Sequence, residues 1–96
     1  MAGVELSVTD NEHLHRYEAV VDGEVAGFVR YHDRADGVRD LQHTEVDPAF
    51  EGKGIGSRLV TGALDAIRAQ GRTIEASCPF VSTYLKRHEE YRDLLA

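Results

Sequence analysis

Val46-Asp47-Pro48-Ala49-Phe50-Glu51-Gly52-Lys53-Gly54-Ile55-Gly56-Ser57-Arg58-Leu59-Val60 runs from an extended stretch, through a break at Asp47-Pro48 and three alternating glycines, into an amphipathic helical pattern. Glycines at 52, 54 and 56 let the backbone turn tightly and approach a bound group closely. The helix that opens there adds amides without intrahelical partners and the positive end of its dipole. The stretch therefore reads as an anion-binding loop, with a phosphate or pyrophosphate as its natural guest.

The spacing narrows the ligand. A dinucleotide fingerprint counted from Gly52 puts Ser57 where the third glycine belongs, and no acidic residue about 20 positions on ends a strand. A phosphate loop of the Walker type fails too, because Lys53 lies between glycines and no Ser or Thr follows it.

Upstream and downstream, the pattern is strand, hairpin, strand, helix, strand, helix. Residues 4–9 alternate apolar and polar, and Asp10-Asn11-Glu12 interrupts them. Residues 17–21 and 24–32 flank Asp22-Gly23, a dipeptide suited to a two-residue type I′ hairpin. After a turn at 33–37, residues 38–46 form the strand that feeds the glycine loop. From 54 to 70, Ile55, Leu59, Val60, Ala63, Leu64 and Ile67 share one helical face, and Gly71 closes the helix. Residues 72–78 read as a strand with Ile74, Ala76 and Cys78 on one side. Pro79 then opens a short helix with Val81, Tyr84, Leu85 and His88 on one face. The fold class expected is α+β, an antiparallel meander leading into a parallel β-α-β unit with a short C-terminal helix. In such a unit strands 38–46 and 72–78 run parallel, and their C-terminal ends bring the glycine loop beside Cys78-Pro79.

The run Glu51-Gly52-Lys53-Gly54-Ile55-Gly56 resembles the Gln/Arg-x-x-Gly-x-Gly/Ala motif with which GCN5-related N-acetyltransferases (GNATs) bind acetyl-coenzyme A. Glu51 stands where that motif has Gln or Arg, which sets a carboxylate beside the pyrophosphate. His43-Thr44-Glu45-Val46 before the loop, and Cys78-Pro79-Phe80-Val81 with Tyr84, His88 and Tyr91 after it, resemble the small YjdJ-like subgroup of GNATs from about Val4 to Leu95. The resemblance implies an acetyl-coenzyme A-dependent N-acetyltransferase acting on an amine. It implies a cofactor-binding set of Val46, Asp47, Pro48, Glu51, Gly52, Lys53, Gly54, Ile55, Gly56 and Ser57, with the pantetheine arm lying between two splayed strands and bonded to backbone around Val46 to Pro48.

Four side chains carry candidate catalytic chemistry. Cys78 is the best nucleophile, placed before a proline-started helix where a thiolate gains stabilisation, and equally suits a small core residue. His43 and Glu45 alternate onto one strand face, as a base relay or as a solvated pair. Tyr84 matches the final-helix tyrosine that reprotonates the coenzyme A thiolate in many GNATs, and also fits a core position. A noncatalytic acyl-coenzyme A-binding or interaction module is the alternative, because the chain lacks the N-terminal helices that build the acceptor pocket in larger GNATs.

Composition sets the outer bounds. Ninety-six residues with 42% apolar content form one domain. No run approaches a membrane span and no secretory signal pattern opens the chain, so a cytoplasmic protein is expected. One cysteine excludes an internal disulfide. His13 and His15 could share one side of a strand, but two such ligands without a third make a weak metal site, and solvated loop histidines are the reading expected. Residues 1–48 hold 4 Lys/Arg against 11 Asp/Glu, and residues 49–96 hold 7 against 6, for a net charge of −6. That acidity excludes nucleic acid and is compatible with a cationic amine acceptor. A monomer or a homodimer is expected, with a second copy or a partner able to supply a missing acceptor wall.

Overall fold

A computed structural model describes residues 5–96. Five strands, β1 (Ser7–Asn11), β2 (Arg16–Val21), β3 (Glu24–Asp33), β4 (Arg39–Val46) and β5 (Ile74–Ala76), form one sheet in sequence order. The first three pairings are antiparallel and β4–β5 is parallel, joined by α1 (Ile55–Ala69). α2 (Pro79–Arg87) follows β5, and a 3₁₀ segment (Glu89–Leu94) leads to the C-terminal residues, where the Ala96 N–H donates to the Ile74 carbonyl at 2.9 Å.

The meander, the parallel unit and the short helix agree with the sequence reading, and several boundaries differ. Val4, expected to start the first strand, lies outside the described residues. That strand runs on through Asp10 and Asn11 instead of breaking there, because both side chains have cross-strand or turn partners. Tyr31 donates to the Asp10 carboxylate at 2.7 Å, and Asn11 Oδ1 accepts from the Leu14 N–H at 3.1 Å. His13 and His15 sit in the β1–β2 turn rather than in a strand. Asp22 and Gly23 take φ of 51° and 79°, the two positive values a type I′ turn requires. β5 stops at Ala76, so Cys78 is the N-cap of α2 and not a strand residue, and His88 is its C-cap.

Register divides the sheet into two unlike faces. Tyr17, Ala19, Val29, Tyr31 and Leu41 join the buried residues of both helices in one apolar cluster. Gly62 of α1 rides on Val8 of β1 so closely that an added Cβ would lie 2.5 Å from it, and this contact brings the helix down onto the sheet. The opposite face carries Glu18 across from Phe28, Phe28 across from Glu45, and Arg30 across from His43. Between Arg30 and Tyr31 the β3–β4 register shifts, which leaves Gln42 of β4 unpaired as a bulge.

Candidate active site

β4 delivers the chain to the glycine loop with backbone still unpaired on one edge. Its parallel pairing with β5 covers only Arg39, Leu41 and the residue between them, and then β5 ends. One further bond, from the Cys78 N–H to the Leu41 carbonyl at 2.9 Å, closes the angle between the strands. Beyond it β4 continues to Val46 while the other branch turns into α2, so the two diverge in a wedge.

Asp47 caps the 3₁₀ turn Pro48–Phe50 by accepting from the Ala49 N–H at 2.9 Å, and this turn lifts the chain off the sheet. Gly52 and Gly54 follow with φ of 80° and 70°, conformations that β-branched residues adopt only under strain. Gly54 is the N-cap of α1, and no side chain caps the helix. The first intrahelical bond of this turn runs from the Arg58 N–H to the Gly54 carbonyl, so the amides of Ile55, Gly56 and Ser57 precede the ladder. They face a concavity of about 340 Å³ that Val46, Glu51 and Phe80 also line. A Cβ built at Gly52 or Gly54 would touch nothing within 4 Å, which leaves open space for a ligand oxygen beside the backbone. Glu51 is the one acidic group on this wall, and Lys53 is exposed.

The four candidate catalytic residues do not converge. Cys78 lies in the crotch of the wedge, 3% exposed, with its sulfur 3.3 Å from the Thr44 hydroxyl. His43 and Glu45 lie on the other face of β4 and pair with each other, Nε2 to Oε2 at 2.9 Å, with side chains 44% and 61% exposed. Tyr84 sits between the helices, where its hydroxyl bonds Thr61 of α1 and its ring stacks on His88 at 3.9 Å between centroids. Nearby, the Tyr91 hydroxyl donates to Asp65 at 2.6 Å, and that bond, with burial second, pushes its pKa up to about 12.

Three residues to which the sequence reading gave no role now have places. Thr44 is the partner of Cys78, and strand alternation could have found it: if His43 and Glu45 face one way, Thr44 faces the other. Thr61 fixes the Tyr84 hydroxyl, and no local pattern marks it. Phe80 packs the tip of its ring against Gly56, whose added Cβ would lie 2.9 Å from Cζ.

Comparison with known proteins agrees with this architecture. Residues 16–94 match the family described as GCN5-related N-acetyl-transferase. Protein NATD1 of Xenopus tropicalis is 37% identical over 49 residues, 51% of this chain and 45% of that protein, and human NATD1 is equally identical over 43% of its length. The chain thus matches less than half the length of these curated relatives. A GCN5-like protein from Staphylococcus aureus superposes with a TM-score of 0.66 at 20% identity, over 100% of this chain and 91% of that one. Ribosomal-protein-alanine N-acetyltransferase from Brucella melitensis gives 0.58 at 18% identity, over 99% and 92%. With a wedge between parallel strands, a glycine-gated helix entry and a family match across most of its length, this chain belongs to the GCN5-related N-acetyltransferases.

Proposed function

We propose that the protein transfers an acetyl group from acetyl-coenzyme A to an amine. The observation that carries this reading is the junction of the unpaired edge of β4 with the uncapped amides of Ile55, Gly56 and Ser57. A pyrophosphate on those amides would neutralise the helix dipole end, and the amides of a pantetheine arm would satisfy β4 beyond Leu41. The thioester then comes to the crotch where Cys78 and Thr44 meet.

The reaction asks little of the protein beyond placement and two proton transfers. The amine nitrogen attacks the thioester carbon, the C–S bond breaks, the amine proton passes to a base and the departing thiolate takes one from an acid. Glu45, with His43 in reserve, is the base assigned, and Tyr84 is the acid. Attack by the Cys78 sulfur, giving an acetyl-cysteine that the amine then cleaves, is the alternative route. The acceptor amine remains open, and the Brucella relative's name adds a peptide with N-terminal alanine to the polyamines, amino acids and lysine peptides worth testing.

The exposure of His43 and Glu45 favours a second reading, a noncatalytic acyl-coenzyme A-binding module, because the two side chains face solvent and bond each other rather than an enclosed acceptor. Thiol release from acetyl-coenzyme A across the acceptor panel separates the two. Catalysis is expected to show acceptor-dependent release that Glu45→Gln and Tyr84→Phe lower about 100-fold or more with little change in coenzyme A affinity. Release no faster than hydrolysis with every acceptor, alongside retained binding, would establish the module. A single acetyl group on Cys78 in mass spectra without acceptor, lost in Cys78→Ala together with turnover, would select the covalent route.

A further inference from the structure

A hollow of about 360 Å³ opens on the sheet face opposite the helices, where β2 and β3 meet the end of β4 and the turn at Pro48. Its wall brings together one guanidinium, two carboxylates and one ring, those of Arg16, Glu45, Asp47 and Phe28. Glu45 already serves the proposed transfer as its base, whereas Arg16 and Phe28 have no part in it. Arg16 is fixed from behind. Its Nε donates to Glu18 at 2.8 Å, and the Asn11 amide donates to the same carboxylate oxygen at 3.1 Å. Glu18 is 8% exposed, so this anchor is buried. The guanidinium lies over the Phe28 ring, 4.5 Å from its centroid. Among the described residues its two Nη groups have no hydrogen-bond partner, which leaves the fork of the guanidinium open.

The surroundings sharpen what that fork is for. Residues 1–48 hold 4 Lys/Arg against 11 Asp/Glu, and two of the four, Arg34 and Arg39, are paired with Asp36 and Asp33. The other two are register partners on the open face, Arg16 on β2 and the exposed Arg30 on β3. Like charges directly opposite on neighbouring strands repel, and an anion beside them would relieve the repulsion. One strand further on, Glu45 is the register partner of Phe28, and Asp47 follows on the same hollow. The cationic end therefore stands over β3 and the anionic end on β4, about 5 Å apart. An ammonium and a carboxylate borne on one carbon bridge that gap with a hydrogen bond at each end. A polyamine would set its second cation against Arg16, and a lysine within a peptide brings no carboxylate for it.

We infer, on the reading of the chain as an acetyltransferase, that this hollow takes the acceptor and that the acceptor is a free amino acid, with its carboxylate on Arg16 and its amine between Glu45 and Asp47. The guanidinium offers a carboxylate a charge-assisted bidentate contact, and its posture over Phe28 with Nε on Glu18 sets the fork before the ligand arrives. Transfer to an amine requires only the carboxylate end of the hollow, so Arg16 adds a selection that the chemistry itself does not impose.

Matched pairs of compounds that differ only in the carboxylate test it: alanine and ethylamine, lysine and cadaverine, phenylalanine and phenethylamine. The intact chain is titrated with all six by calorimetry, with and without coenzyme A, and thiol release from acetyl-coenzyme A is followed with the same six. In at least one pair the amino acid is expected to bind about tenfold tighter than its amine, with kcat/KM shifted the same way. Arg16→Gln is expected to bring the pair to parity and leave coenzyme A affinity unchanged. Arg16→Lys, which keeps the charge without the planar fork, should retain part of the preference and serves if the first variant does not fold. Equal affinity within every pair, no binding of any of the six, or a preference that survives Arg16→Gln would overturn the assignment. Acetyl transfer to the amines without preference would overturn it and leave the transferase reading standing. Selective binding of amino acids with no transfer to any would do the reverse.

Discussion

Arg39 opens β4 at 6% exposure, enclosed by partners from three strands, whereas Val46 closes the same strand beside amides that have none. At the first end Arg39 forms two bonds to Asp33, at 2.7 and 2.9 Å, reaches Asp10 at 3.4 Å, donates to the Tyr17 oxygen at 2.8 Å, and lies 3.8 Å over the Tyr31 ring. Burial opposes the charge on Arg39, but the bonds from Asp33 and Tyr17 outweigh it and raise its pKa further. Burial likewise raises the Tyr17 pKa, with the Arg39 bond opposing it. One end of the strand thus spends its polar groups on itself, and the other keeps them for a guest. Under the proposed function, the difference puts stability and ligand binding at opposite ends of a single element.

The harshest way to break this division is Arg39→Ala. Removing the guanidinium leaves Asp33, Asp10 and Tyr17 without a shared partner, and deleting one member of a buried charged cluster costs about 3–5 kcal/mol. Urea unfolding is expected to lose that much stability, and coenzyme A affinity measured on the folded fraction to stay near wild type. A loss below about 1 kcal/mol would mean that the cluster is solvated and that the ends of β4 are less unlike than their geometry implies.

Gly54→Val attacks the open end and should produce the inverse profile. At φ 70° a β-branched residue is strained by about 1–3 kcal/mol, and its side chain fills the space beside the amides. The larger effect is on linkage. Coenzyme A at about 100 times its dissociation constant stabilises the folded wild type by about 2.7 kcal/mol, and Gly54→Val should lose that gain. Equal ligand-induced stabilisation of the two proteins would show that the loop is not where the phosphates bind.

The open end was the more legible in sequence, for a physical reason. Its parts are local: alternating glycines, a helix stripe from Ile55 to Ile67, and a proline after Cys78 all declare their conformations within a few residues. Asp22-Gly23 fixed the hairpin for the same reason. The Arg39 cluster joins Asp10, Asp33 and Arg39 through strand register, and the Gln42 bulge shifts that register where no Gly or Pro marks it. Asp10 looked like a strand breaker because its partners, Tyr31 and Arg39, are 21 and 29 residues away. Among the candidate site residues, Cys78 and His43–Glu45 were chosen by residue type, but their placement on opposite faces of β4 needed the pleat and the turn into α2 together.

A gentler probe of the closed end is pH. Asp33 is held below the ordinary carboxylate pKa of about 3.9, first by its bond to Arg39 and then by nearby charge, against some burial. A depressed folded-state pKa contributes stability that is fully present above the unfolded value and disappears as pH falls through the folded one. Wild-type stability should therefore fall as pH drops below about 4, and Asp33→Asn should show a shallower fall over the same range. Parallel curves would mean that the Asp33 carboxylate is no better paired when folded than when unfolded.

The smallest expected effect belongs to Glu51, and it tests how finished the open end is. A carboxylate on the wall of a phosphate concavity repels the guest, but Glu51 is exposed, where solvent and salt reduce the interaction of two charges to a fraction of its contact value. Pair energies at such sites run to about 0.2–1 kcal/mol, so Glu51→Gln should tighten coenzyme A binding by at most about fivefold. Because the effect is screened charge, the gain should shrink as salt rises from 50 to about 500 mM. Titration at both salt concentrations separates the possibilities. A gain that ignores salt would place the cause in loop conformation, since Glu51 also closes the 3₁₀ turn through its N–H bond to the Pro48 carbonyl at 3.3 Å. Weaker binding by Glu51→Gln would mean that the carboxylate accepts a hydrogen bond from the ligand, and Glu51 would then join the residues that select the guest.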